Sequence, residues 1–121
     1  MPFLALIGVA LGGAAGSVAR YAVQVAFRLH PTGTLAINLA GSFLIGLCAA
    51  WAERDGAPWI RPWLMTGFLG GFTTFSAFSL ENFRMLRDGH ATAAILYAGT
   101  SVAGGVALAF AGYALARPAG A

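Results

Sequence analysis

Uncharged, mostly apolar stretches fill this chain almost end to end, and their lengths predict its elements. The first runs uncharged from about Phe3 to Ala19, meets Arg20, and reaches a polar exit at Arg28, His30 and Pro31. The second, Thr34 to Ala52, carries no charge. The third starts near Trp63 and stays uncharged to Leu80, before Glu81, Arg84, Arg87 and Asp88; the fourth, Ala91 to Ala116, is uncharged throughout. A helix needs about 20 apolar residues to cross about 30 Å of hydrocarbon, so four stretches qualify as membrane spans. The pattern predicts an all-α membrane protein: a single four-helix membrane domain over residues 1–121, with helices at about 3–29, 34–52, 62–86 and 91–116. The connections leave no room for a soluble domain. Trp51, Trp59 and Trp63 gather around the second connection, as an aromatic belt at a membrane interface requires.

Composition strengthens this reading. The chain is 59% hydrophobic and only 9% charged, and its seven Arg (there is no Lys) and four carboxylates cannot solvate a globular surface. The net charge of +3 is scattered, without the basic run that binding to nucleic acid would need. A lone Cys48 inside an apolar stretch excludes an intrachain disulfide and points to packing. The opening MPFLALIGVALGGAAGSVA has the length and small residues of a signal peptide, yet lacks a basic n-region and is followed by further long apolar stretches.

With four crossings, Arg54, Arg61 and Arg117 fall on one side of the membrane and Arg28, Arg84 and Arg87 on the other. This balance gives no charge bias to set orientation, so the chain is expected to insert both ways. A subunit that does so can pair with an inverted copy, which predicts an antiparallel dual-topology homodimer. Gly8, Gly12 and Gly16 recur every fourth residue on one face of the first helix; that face serves either such pairing or packing within the subunit.

The most unusual local sequence is GFLGGFTTFSAFSLE, Gly67 to Glu81. Adjacent glycines and adjacent β-branched threonines lower helix propensity, so the third helix is expected to break near Gly70 to Thr74. Freed backbone groups are tolerated at membrane depth only when buried in protein or lining a polar cavity, which suggests an ion or substrate site. The competing reading has Gly70 and Gly71 allowing close packing while Thr73 and Thr74 bond back to the preceding turn.

Other polar residues carry similar alternatives. Asn38, with Ser42 one turn on, faces a conduit or acts as interhelical glue. Tyr97 and Ser101 repeat that spacing, with Thr100 adjacent, before Gly105 and Ala109 end the line of hydroxyls. Phe75 and Phe78 are either core or a pair whose ring edges present partial positive charge. Arg20 and Glu81, nearest to membrane depth, either pair across a vestibule or snorkel to an interface. No enzyme signature is present: the glycines do not form GxGxxG after a strand, and no nucleophile elbow occurs.

GGAAGSVARY at Gly12 to Tyr21, GTLAINLAGSFLIG at Gly33 to Gly46 and the third-helix block together resemble the Fluc/CrcB fluoride channels, in that family's order and spacing. The resemblance implies an antiparallel dimer with two fluoride pathways and a structural Na⁺ at its centre. The Na⁺ would be held by main-chain carbonyls of Gly70 and Thr73 from each subunit. It implies a fluoride pathway lined by Asn38, Phe75, Phe78, Tyr97 and Ser101, and a vestibule of Arg20, Thr34 and Glu81; Ser42, on the face of Asn38, and Thr74, at the expected break, are added to the pathway by position. The implied activity is passive export of cytoplasmic fluoride through a bacterial-type inner membrane, giving fluoride resistance. Fluoride is small and tightly hydrated, so neutral donors and ring edges can replace its water without trapping it. The fourth helix departs from the longer hydroxyl track the family implies: Gly105 and Ala109 offer no donor, so another residue or water must serve there.

Two other functions fit a small membrane dimer. A proton-coupled multidrug exporter needs an embedded carboxylate, which the first helix lacks. A non-transporting assembly factor leaves the GGFTTF interruption unexplained.

Overall fold

The structure is a computed structural model that describes residues 2–117; Met1 of the leader-like stretch lies outside them. Helix α1 spans Pro2–Ala26. It stops before the expected Leu29 because Arg28 turns into the left-handed region (φ 57°). There the Arg28 amide donates to Val25 O at 2.9 Å and the Leu29 amide to Gln24 O at 2.7 Å, closing the last turn as a Schellman motif.

Helix α2, Pro31–Asp55, begins earlier than the charge pattern predicts. Pro31 supplies a first-turn φ, and the His30 ring nitrogen Nδ1 accepts from the Thr32 amide at 3.2 Å. The helix also runs past Ala52 until Gly56 (φ 63°) closes it, its amide reaching Ala52 O at 2.8 Å.

Helix α3 covers residues 60–72. Ile60–Leu69 is wound as a π-helix, with the Gly70 amide reaching back to Met65 O, and Gly70–Phe72 is a single α turn. Thr73 (φ −85°, ψ 156°) and Thr74 (φ −150°, ψ 118°) are extended. Helix α4 then spans Phe75–Arg87, and α5 spans Ala91–Ala116. Between them Gly89 (φ 84°) lets the His90 amide reach Met85 O at 2.7 Å. At this exposed turn the Arg87 guanidinium bonds the Asp88 carboxyl at 2.8 Å and holds it below the usual carboxylate range.

The third segment is thus broken inside the expected interval, at its threonines rather than its glycines. Gly70 remains helical (φ −62°, ψ −37°), and the two threonines make the break. Gly71 serves close approach instead, as do the glycines of α1. A Cβ at Gly71 would strike the carbonyl of Gly13, and one at Gly16 the carbonyl of Phe68, so the GxxxG face of α1 packs on α3 within the subunit.

Two helix pairs result: α1 runs along α3, while α2 packs lengthwise against α5. The fully buried large side chains are few, Ile37 and Ile60 among them, and many apolar ones stand exposed, including Phe3, Leu6, Val18 and Phe110. Such a surface suits lipid or a partner rather than water. Pro2–Ala26, Pro31–Asp55 and Ala91–Ala116 are each long and apolar enough to cross a membrane, as in a multi-pass membrane protein.

Candidate functional site: the broken helix and its cleft

Asn38 of α2 holds the break open. Its side-chain Oδ1 accepts from the Thr74 amide at 2.9 Å, and its Nδ2 donates to the Thr74 carbonyl at 3.0 Å. One amide therefore satisfies both backbone groups of an extended residue, as burial demands. The Thr74 hydroxyl caps α4, accepting from the Ala77 amide at 3.2 Å, and lies 3.1 Å from Ser76 Oγ. The Thr73 hydroxyl bonds back to Leu69 O at 2.9 Å.

These captures have a consequence for the carbonyls. In a continuous helix the Thr74 amide would bond Gly70 O and the Ala77 amide would bond Thr73 O. Both amides are diverted, to Asn38 and to Thr74 Oγ1, so Gly70 and Thr73 each lose their ladder donor. Both residues line an open cleft of about 340 Å³, shared with Asn38, Gly41, Ser42 and Phe75. Its remaining lining is Ile45, Met65, Leu69 and Thr74; no titratable side chain faces it. Phe75 is 78% exposed at its rim.

From Phe75 a line of rings leads to a carboxylate. Phe75 and Phe78 have centroids 5.6 Å apart, and Phe78 and Tyr97 are 5.2 Å apart. The Tyr97 hydroxyl donates to Glu81 Oε1 at 2.6 Å, and the buried Thr34 hydroxyl donates to Glu81 Oε2 at 2.9 Å. Neutral donors from α2 and α5 thereby hold a carboxylate of α4, the arrangement an ionisable group near membrane depth requires.

Arg20 does not join the hydrogen-bonded group of Thr34, Glu81 and Tyr97. It forms no ion pair with Glu81 among the described residues; its Nε donates to the Gly71 carbonyl at 2.9 Å, beside the break. Physically, the interrupted helix offers it a free acceptor on the segment that α1 already packs against. Thr34 and Glu81 do come together, so two of the three residues share a site and the third lies elsewhere. On α5, Ser101 Oγ is buried with no hydrogen-bond partner among the described residues.

Gly41, Ile45, Met65 and Leu69 were not anticipated as lining residues. Gly41 sits where a Cβ would collide with the Thr73 methyl, so it lets the break press against α2. Its place three residues after Asn38 was the available signal. For a metal, no cluster of three or more His, Cys, Asp or Glu occurs among the described residues. Any cation here would rely on carbonyls, and the freed Gly70 and Thr73 oxygens are hard donors suited to one.

Comparison with known proteins gives the family. Residues 7–113 match the family model described as CrcB-like protein, Camphor Resistance (CrcB). The chain is 48% identical over 116 residues to the fluoride-specific ion channel FluC of Rhizobium etli, covering 90% of this chain and 93% of that protein. It is 49% identical over 117 residues to FluC of Hyphomonas neptunium, covering 90% and 92%. FluC of Chlorobaculum tepidum is 48% identical over 115 residues, covering 90% and 91%. With a family match over most of its length and relatives this similar, the chain belongs to the CrcB family, whose curated members carry the name of fluoride channels rather than of enzymes.

Proposed function

We propose that this protein is a fluoride-selective channel that lets cytoplasmic fluoride leave passively down its electrochemical gradient and so confers fluoride resistance. The observation that carries the reading is the cleft at the broken helix. It joins an amide, hydroxyls and an aromatic edge with no titratable side chain in its lining. A fluoride ion must exchange tightly held water for donors that release it again, and neutral donors and ring edges meet that need. A proton-coupled exporter would need a carboxylate in such a cavity, and Glu81 is instead bonded to Thr34 and Tyr97.

The working unit in this account is an antiparallel dual-topology homodimer, with the third segment crossing the membrane as two half-helices. Support comes from the three Arg that four crossings put on each side of the membrane, Arg20 being counted with neither, and from a cleft left open in one subunit. Asn38, Ser42, Thr74, Phe75, Phe78, Tyr97 and Ser101 line the path, and Thr34 with Glu81 forms its vestibule. The Gly70 and Thr73 carbonyls of two subunits would offer four neutral oxygens to a structural Na⁺ at the dimer centre. When bound, that ion supplies fixed positive charge that ties the two breaks together. Asn38 keeps the Gly70 carbonyl available and the Thr74 hydroxyl does the same for Thr73.

The test is growth of a bacterial strain made fluoride-sensitive by loss of its own exporter. This protein should restore growth in fluoride, and Phe75→Ile and Phe78→Ile should fail to do so while still purifying as dimers. Full rescue by both variants would remove the ring edges from the path. Orientation is read separately from C-terminal reporters specific for each side; signal from one side alone would defeat dual topology.

A further inference from the structure

Helices α2 and α5 meet in rungs that keep one sequence offset. Thr34 and Tyr97 share the carboxylate of Glu81; Ser42 Oγ lies 3.2 Å from where a Cβ on Gly105 would stand; a Cβ at Gly46 would strike the carbonyl of Ala109. The same offset pairs Asn38 with Ser101. The polar side chains therefore form a ladder: hydroxyls on both sides at the first rung, amide and hydroxyl at the second, and at the third a hydroxyl on α2 facing a glycine on α5.

Most hydroxyls around this ladder are already committed. Tyr97 and Thr34 donate to Glu81, Thr73 donates to Leu69 O, and Thr74 accepts from Ala77. Ser101 and Ser42 are uncommitted, as is Thr100, which stands exposed. Ser101 Oγ is buried without a partner among the described residues, a state that buried polar atoms avoid unless a ligand or water completes them. Ser42 lines the cleft and touches the space above Gly105, so it belongs to both surfaces.

We propose that Ser42 supplies, from α2, the hydroxyl donor that α5 lacks at Gly105, and that fluoride passes from Ser101 to Ser42 across the helix interface. Gly105 is then a glycine because a side chain there would crowd the Ser42 hydroxyl. The proposal rests on the fluoride-channel reading and makes Ser42 a residue that contacts the ion.

The experiment compares fluoride release from liposomes containing the wild type, Ser42→Ala, Ser42→Ala with Gly105→Ser, and Ser42→Ala with Gly105→Ala, each verified as assembled dimer. Ser42→Ala should slow release by about ten- to a hundredfold, the rate equivalent of one hydrogen bond to a charged group. Adding Gly105→Ser should restore most of the rate by returning a hydroxyl to the same space from the other helix, whereas Gly105→Ala should not. Ser42→Cys, close in size and a weak donor, reads the same loss without a void. Wild-type rates in Ser42→Ala or Ser42→Cys, or equal rescue by Gly105→Ala, would overturn the proposal and leave the channel reading intact. Failure of the wild type to release fluoride would instead overturn the channel reading itself.

Discussion

Replacing Asn38 with Ala should collapse the site from the inside. The side chain makes two hydrogen bonds to one extended residue, 2.9 Å to the Thr74 amide and 3.0 Å to its carbonyl, and Thr74 is only 9% exposed. Leaving a buried polar group unpaired costs about 1–3 kcal/mol in soluble proteins, whereas interhelical hydrogen bonds in membranes average nearer 0.6 kcal/mol. The lower figure reflects freedom to find other partners. Here the Thr74 amide has one such partner, Gly70 O, reached only by rewinding the break into helix. The expected loss is therefore about 1–3 kcal/mol in total, together with loss of the freed carbonyls and of fluoride flux. Unfolding in mixed micelles with increasing denaturing detergent gives the first quantity, and fluoride release from liposomes gives the second. Stability within about 0.5 kcal/mol of wild type, with unchanged flux, would refute the idea that Asn38 holds the break open.

Other expectations follow from single contacts. Gly16→Ala drives a methyl into the Phe68 carbonyl and should cost about 1–3 kcal/mol by thermal unfolding in detergent. Gly99→Ala, with nothing within 4 Å of its Cβ, should be neutral or stabilising by up to about 1 kcal/mol; equal losses in both variants would contradict the α1–α3 packing. Tyr97→Phe removes the 2.6 Å bond to Glu81 and should destabilise by about 1–2 kcal/mol. Combined with Thr34→Val its effect should be non-additive, since both hydroxyls serve one carboxylate; strict additivity would count against a shared site. Purification and reconstitution with choline in place of Na⁺ should lower fluoride flux, and flux unchanged after exhaustive exchange would argue against a cation on the Gly70 and Thr73 carbonyls.

The helices were legible because membrane-length apolar runs are bounded by charge, and α5 matches its expected span of 91–116. Their ends were less so. Charge placed the end of α1 near Leu29, while a left-handed Arg28, a conformation usually left to glycine, ends it earlier. The break was visible in GGFTT, where local propensity counts against the glycines and the threonines alike and so does not say which of them leaves the helix. What holds it is an amide from another helix, and no local pattern encodes a contact between Asn38 and Thr74. The π-winding of Ile60–Leu69 left no sequence signal that we can identify. Arg20 and Glu81 looked like natural partners by charge alone; the structure gives Arg20 a backbone oxygen that exists only because the helix is broken. The interhelical bonds of Asn38 and the back-bond of Thr73 help to build the cleft, while Thr74 caps the following helix instead of bonding back.

Fluoride release from liposomes containing the purified dimer tests the central claim most directly. It is followed with a fluoride electrode after a potassium ionophore relieves charge build-up, with chloride as comparison. Rapid, ionophore-dependent loss of fluoride without matching loss of chloride is the predicted result. No fluoride loss from verified, folded dimers would contradict the account and return the cleft at the broken helix to a role in assembly or coupled transport.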